Sequence, residues 1–418
     1  MLFVYIIMGG EVYGSGGWAK YVRELATYLV KNNYRVKILC RMGKIYTTND
    51  ILKNLNSQNI TVSNFSKNSQ FYTLMQHLPN QISVFLGAVK LLEDVKRESS
   101  CQKILHVHDV SSSLLIALLV DIFCKLPLAV QIHGFPIKEQ YIKLSIVNSS
   151  LAKFVWFLTK IWHTMVVNFI KNNSVIVLVN NSEVKSFYES CGLSPSQIKI
   201  ISSAIDLKEY EEKVLSQTDA LTRLGIGKFN GEVMIGYVGG LRQEKNVGRL
   251  IKAFRDCLKN ETGVKAKLLI IGDGPLYRHL KEEVNECNLR NYVFFLGFIP
   301  EAYRFLNAID IFVLPSLSEG SPISLIEAMA AGKAIIASNI PSIREIVRHG
   351  EEAILVNPHN VEELKQAILL LYNNPDLRVK LGNGAKERAK LYDVNKVYGE
   401  ILKLYEELAR RKAKNTLQ

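Results

Sequence analysis

Short apolar runs alternate along the chain with helix-length stretches in which apolar positions recur every three or four residues. The run Leu2-Phe3-Val4-Tyr5-Ile6-Ile7-Met8 predicts a first strand, a helical pattern follows from about Gly17 to Lys31, and Arg35-Val36-Lys37-Ile38-Leu39-Cys40 predicts a second strand. Further runs predict strands at 103–107, 128–132, 174–179 and 197–201, which together make one doubly wound α/β domain over residues 1–205. A second series opens at Val233-Met234-Ile235-Gly236-Tyr237-Val238 and continues near 267–271, 292–296, 311–314, 334–337 and 353–356. It predicts a second domain of the same class over 232–390. The stretch 206–231 between them is polar, with Glu209, Glu211, Glu212, Lys213 and a Gly225-Ile226-Gly227 turn, and reads as a linker with a short helix where a hinge would lie. Residues 391–418 carry a last helical pattern from Val394 to about Lys412, with Val397, Ile401, Leu402, Leu404, Tyr405 and Leu408 on its apolar side. The fold class is therefore α/β, with two Rossmann-like domains.

At 418 residues each domain can bury a core of its own, and 48% hydrophobic against 22% charged residues describes an ordered globular chain. The net charge of +13 changes the picture, because it favours anionic partners. Nothing in the chain resembles a zinc finger or an RNP aromatic motif, so the expected partner is a phosphorylated substrate or an anionic membrane surface, with no nucleic acid. Six cysteines stand without C-x-x-C spacing, as expected of small core residues in a reducing compartment. The apolar N-terminus lacks a basic n-region and reads as a strand, so the expected location is cytoplasmic, peripheral on the cytoplasmic membrane face.

The most informative segment is Ser318-Glu319-Gly320-Ser321-Pro322-Ile323-Ser324-Leu325-Ile326-Glu327-Ala328-Met329-Ala330-Ala331-Gly332. Ser321 reads as a helix N-cap, Pro322 as the first helical residue and Gly332 as the terminator. The apolar runs Ile311–Leu314 and Ala334–Ala337 on either side put Glu319 and Glu327 at the carboxyl end of a parallel sheet, where such folds bind ligands. The first-turn N–H groups can hold phosphate while the carboxylates accept sugar hydroxyls. A capped helix with two incidental glutamates is the plainer alternative.

Glu319 and Glu327 match the E-x7-E motif of the retaining GT-B glycosyltransferases of family four, and Ala328-Met329-Ala330-Ala331-Gly332 matches the family's continuation. The resemblance runs from the Gly-rich first loop to the terminal helix. It implies two domains facing each other across a cleft, the acceptor on the first, a nucleotide sugar on the second, and a final helix that returns to the first domain. Glu319 would hold the donor sugar's hydroxyls and Glu327 the ribose, with Ser321, Ser324 and Leu325 at the same helix start.

Further segments carry the resemblance. In Tyr237-Val238-Gly239-Gly240-Leu241-Arg242-Gln243-Glu244-Lys245-Asn246, Lys245 falls on the family's lysine, which neutralises the departing diphosphate. The family's arginine position is Gly240 here, and Arg242 stands two residues later. Gly272-Asp273-Gly274-Pro275 resembles the family's G-x-G-P loop near the nucleotide, and Leu296-Gly297-Phe298 the stretch that meets the base; both also fit plain tight turns. His133-Gly134, at the end of the run Leu128–Ile132, matches the position that contacts the donor sugar. Gly16 and Gly17 match residues near the leaving phosphate and acceptor. Their loop, Gly14 to Ala19, also fits G-x-G-x-x-A, but the glycines are delayed after the strand and Cys40-Arg41 stands where a dinucleotide site needs an acid. His106 and His108 share one strand face and are expected to serve packing and loop hydrogen bonds. The family's usual N-G-V-D appears as Ser203-Ala204-Ile205-Asp206.

No D-x-D occurs in the chain, so cations are expected to do the work of a metal, with no cofactor and no metal. Between Lys138 and Lys171 five lysines face one acid, Glu139, around Phe154-Val155-Trp156-Phe157-Leu158, Ile161-Trp162 and Met165-Val166. That composition fits a helix at a membrane interface or one buried in the first domain. The resemblance implies a retaining hexosyltransferase moving sugar from a UDP- or GDP-linked donor to a glycan, lipid-linked or polysaccharide acceptor. A sugar-nucleotide epimerase of the same architecture and a non-catalytic partner subunit are the alternatives.

Overall fold

Strands form where the apolar runs predict them, because segments this apolar must be covered on both faces and parallel strands between helices achieve that. The computed structural model describes residues 2–8, 17–40, 60–64, most of 88–97, 102–108, 112–133, 150–173, 175–227, 231–260 and 263–416. The chain divides into two units, Met1–Ser202 with Tyr398–Gln418, and Ser203–Val397.

The first unit holds β1 (Leu2–Met8), β2 (Arg35–Cys40), β3 (Ile60–Asn64), β4 (Gln102–His108), β5 (Leu128–Ile132), β6 (Ile176–Val179) and β7 (Ile198–Ile200) in the order β3-β2-β1-β4-β5-β6-β7, all parallel. Successive side chains alternate between faces. Tyr5, Ile7, Leu105, Val107, Val130 and Ile132 pack on one face against helices Ser112–Cys124 and Ser150–Asn172. Ile6, Met8, His106, His108 and Gln131 occupy the other, in the registers Ile6↔His106, Met8↔His108 and His108↔Gln131. Helix Gly17–Lys31 brings Tyr21 onto that face and helix Val394–Thr416 brings Tyr398 and Tyr405.

The second unit holds β8 (Val233–Val238), β9 (Ala266–Ile271), β10 (Val293–Gly297), β11 (Ile311–Leu314), β12 (Ala334–Ser338) and β13 (Ala353–Val356) in the order β10-β9-β8-β11-β12-β13, again all parallel. Strand order reverses between β8 and β11, so the loops after these two strands diverge and leave room for a ligand.

The structure corrects the linker expected at 206–231. Residues Leu207–Lys213 and Gln217–Arg223 are helices capped by the side chains of Asp206 and Ser216. They are tied to the second unit: the Leu215 amide donates to the Arg304 carbonyl at 2.9 Å and Asn307 Nδ2 to the Leu215 carbonyl at 2.8 Å. The polar run is the wet side of two short helices whose Tyr210 and Ala220 are buried. The unit boundary falls at Ser202/Ser203 instead, and a second change of unit comes at Val397/Tyr398.

Candidate active site

In the second unit the loops after β8, β9 and β11 build one constellation. Backbone of the first two meets directly: the Gly239 amide donates to the Ile271 carbonyl at 3.0 Å, and the Leu241 amide to the Asp273 carbonyl at 2.9 Å. Gly272 has φ +147°, and a Cβ there would land on the Gly239 carbonyl; one at Gly274 would sit 2.5 Å from the Leu241 carbonyl oxygen. Those glycines are required by the crossing of two loops. Gly240 differs, since a Cβ there would meet only Asp273 O at 3.9 Å and Arg242 Nε at 4.0 Å. The side chain of exposed Arg242 therefore flanks the space open beside Gly240. Phe298 follows Gly297 (φ +69°) and is exposed.

Lys245 ends a 3-10 turn, Gln243–Lys245, and Asn246 adopts the left-handed conformation after it. Asn246 Nδ2 donates to the carbonyls of Pro315 and Pro358 at 3.0 Å each, and the Leu317 amide donates to the Glu244 carbonyl at 2.8 Å. These bonds fix the β8 loop to the β11 loop. As a result Lys245 Nζ lies 2.8 Å from both oxygens of Glu319, and Ser316 Oγ donates to Glu319 Oε1 at 2.7 Å. The Glu319 side chain is 7% exposed and that of Lys245 24%. Buried Tyr237, whose hydroxyl is pushed well above its ordinary pKa by burial and then by Glu319 and Glu244, donates to the Gly240 carbonyl at 2.9 Å. Sequence reasoning missed Ser316 and Asn246; the signal for Ser316 was its place three residues before Glu319, where a hydroxyl reaches a following carboxylate.

The helix after Glu319 runs Ile323–Ala330 with Pro322 at its N-cap position. Ser321 is therefore not the N-cap. Its Oγ accepts from the Ser203 amide at 2.8 Å and its carbonyl accepts from Ser203 Oγ at 2.7 Å. This pair shows what Ser203 does in place of the family's asparagine: it ties 203 to the loop that starts helix Ile323–Ala330. Leu325 is fully buried, and its amide donates to the Pro322 carbonyl at 3.1 Å, so it offers no free group. Ser324 is half-buried in the first turn. Gly332 (φ +64°) ends the helix in a Schellman arrangement, with its amide on the Met329 carbonyl and that of Lys333 on the Ala328 carbonyl. Glu327 is buried and lies within electrostatic reach of the Tyr210 and Tyr303 hydroxyls, which burial and nearby carboxylates push up.

In the first unit His133 follows β5. Its Nε2 lies 2.9 Å from His108 Nδ1, and the rings of Trp18 and Tyr21 stand 5.8 and 5.3 Å away. Burial lowers the His133 pKa to about 3, so the ring is neutral at physiological pH. Gly17 opens helix Gly17–Lys31 on an exposed position; Gly16 lies outside the described residues. Among the described residues no three His, Cys, Asp or Glu side chains stand together as a metal site. Among them also, no helix is long and apolar enough to cross a membrane.

Two family patterns match the chain, Glycosyltransferase Family 4 over residues 15–209 and Glycosyl transferases group 1 over residues 222–388. An uncharacterized glycosyltransferase of Methanocaldococcus jannaschii is 30% identical over 244 residues, covering 57% of this chain and 67% of the relative. The D-inositol 3-phosphate glycosyltransferase of Corynebacterium glutamicum is 25% identical over 94% of this chain and 91% of its own. Among solved structures, Anabaena HepE in complex with UDP and glucose superposes with a TM-score of 0.74 at 17% identity, over 96% of this chain and 99% of that one. With two parallel sheets in GT-B order, a lysine–glutamate pair where the strand order of the second sheet reverses, and patterns of both halves in sequence, the chain belongs to the family 4, group 1 glycosyltransferases.

Proposed function

We propose that this glycosyltransferase takes a hexose from a UDP- or GDP-linked donor, without a metal and with retention of anomeric configuration, and passes it to a glycan or lipid-linked acceptor. The observation that carries the reading is the Lys245–Glu319 pair at the β8/β11 switch point. An ammonium there neutralises a departing diphosphate, and a carboxylate 2.8 Å away accepts hydroxyl hydrogens of the attached sugar. Arg242 adds a second cation on the same loop, and the half-buried first turn at Ser324 adds backbone donors. Glu327 takes the ribose. Both oxygens of Glu319 are held by Lys245, and one also by Ser316, which makes it a poor nucleophile. Retention then follows from attack on the face the diphosphate leaves, with the diphosphate oxygen accepting the acceptor's proton. In the second unit these groups would serve the donor; in the first, His133 is the candidate for contact with the donor sugar and the Gly17 helix start a candidate for the phosphate and acceptor.

Helix Ser150–Asn172 supports an anionic membrane surface as a partner. Val166, Val167 and Ile170 are buried, while Phe157, Ile161 and Met165, four residues apart, are 58%, 42% and 59% exposed. Exposed Lys160 and Lys171 on the same helix supply the complementary charge.

The test is a screen of UDP-, GDP- and ADP-sugars for thermal stabilisation and slow donor hydrolysis, with Lys245→Ala and Glu319→Ala beside the wild type. One donor is expected to stabilise and be hydrolysed, with its affinity, read from the concentration dependence of the stabilisation, and its hydrolysis rate each reduced at least about tenfold in the variants, the loss of one charge-assisted hydrogen bond. Stabilisation by no sugar nucleotide would remove the reading. For the membrane, the F157S/I161S/M165S variant should lose sedimentation with anionic phospholipid vesicles; undiminished binding refutes that surface.

A further inference from the structure

His108 has no structural reason to be polar. It is fully buried in β4, between Tyr21 at 5.8 Å and His106 at 4.3 Å, ring to ring, and an apolar side chain would fill that place without desolvating an imidazole. Its Nε2 is buried with no hydrogen-bond partner, as are His106 Nε2 and Gln131 Oε1 on the same face. Orphaned buried polar atoms cost about 1–3 kcal/mol each, and folds keep them where they serve a site. The one hydrogen bond described for the His108 ring runs from Nδ1 to Nε2 of His133, with the two rings 14° from parallel.

Both rings are neutral, since burial lowers the pKa of each, so each carries one proton and only one can donate. Were His133 the donor, the His108 proton would sit on Nε2, an N–H buried without an acceptor. Were His108 the donor, its Nε2 would be a bare lone pair. Buried N–H groups without partners are the rarer of the two in folded proteins. The His108 proton therefore belongs on Nδ1, and the His133 proton on its own Nδ1.

We propose that His108 is a positioning residue that holds His133 as the Nδ1–H tautomer, so that His133 meets substrate as a neutral hydrogen-bond donor and not as a base. The claim rests on the reading of His133 as a substrate-contacting residue. Trp18 and Tyr21 complete the setting by flanking the His133 ring, while His106, bonded through Nδ1 to Tyr405 Oη at 2.5 Å, backs His108 from the other side. A donor at this point stabilises negative charge on a sugar or phosphate oxygen and takes no proton from the acceptor.

The experiment is ¹⁵N NMR of the intact chain labelled at its eight histidines, with the His133 signals assigned by their loss in His133→Asn. Wild type is expected to show a protonated Nδ1 and a bare Nε2 for His133. H108N keeps a donor at the δ position and should preserve that tautomer, whereas H108L should shift His133 toward the Nε2–H form. In donor hydrolysis, H108L should lower kcat about tenfold with KM little changed, and H108N should restore it, about one hydrogen bond's effect. A wild-type His133 protonated at Nε2 overturns the proposal, as does an unchanged tautomer in H108L. Should H108L fail to fold, wild type and H108N still decide. Absence of turnover with every sugar nucleotide would defeat the catalytic reading of His133, while the tautomer still tests His108.

Discussion

Acidification should destabilise the first unit selectively, through histidines that are buried neutral. His106 and His108 are fully buried, and burial first, then the neighbouring imidazoles, lowers the pKa of His106 to about 3 and that of His108 well below its ordinary value. In the unfolded chain both titrate near 6.5. Below that pH the unfolded state binds protons that the native state refuses, so stability is full above about pH 6.5 and falls as pH drops toward 3. At pH 5.0 an unfolded histidine has gained about 2 kcal/mol, from RT ln(1 + 10^1.5), which His106 loses nearly in full on folding and to which His108 adds in the same direction. The chain offers a reporter for this unit alone, because Trp18, Trp156 and Trp162 all lie within Met1–Ser202. Urea unfolding followed by tryptophan fluorescence at pH 7.5 and 5.0, in wild type, H106Q and H108N, measures the difference. H106Q should remove about 2 kcal/mol of the acid-induced loss, roughly 1 M in the midpoint shift, and H108N should reduce the loss in the same direction, whatever constant offset each adds at both pH values. Equal acid sensitivity in all three proteins would mean that the imidazoles ionise inside the fold, and the burial argument would be wrong.

The loop crossing in the second unit makes a paired prediction. Gly272→Ala should lower the calorimetric transition of that unit by an amount equivalent to more than about 2 kcal/mol, because φ +147° and the Gly239 carbonyl both oppose a Cβ. Gly240→Ala should change stability by less than about 0.5 kcal/mol, since the space there is open. Similar effects from the two would refute the steric account.

Elements were the legible part of this chain. The helix Gly17–Lys31 and the strands Arg35–Cys40, Leu128–Ile132, Val233–Val238, Ile311–Leu314 and Ala353–Val356 are found at the predicted bounds, and Leu128–Ile132, Val233–Val238 and Ile311–Leu314 are runs buried on both faces, whose ends are sharp. Strand Ile60–Asn64 escaped: its alternation of apolar and polar residues is short and lies at the sheet edge. The linker was misread because exposed helix faces and true linkers share a polar composition, and only Tyr210 and Ala220 separate them. At the site, Glu319 and Lys245 were legible from motif spacing, but their direct pairing was not, since it depends on Asn246 bridging two loops some seventy positions apart. The role of Ser203 was equally hidden, because its partner Ser321 is 118 residues away.

The division of the chain also sets an order of assembly during synthesis. The second unit is one uninterrupted stretch, Ser203–Val397, so it can close as soon as that stretch has left the ribosome. The first unit cannot, although its seven strands emerge earlier. Tyr398 and Tyr405, which cover Tyr21 and His106, are made last. Until they arrive the nascent first sheet presents Met8, His106 and His108 on a face that, among the described elements made by then, helix Gly17–Lys31 covers through Tyr21. The part of the enzyme translated first is thus the part finished last, and its half-covered sheet is the surface a chaperone would meet.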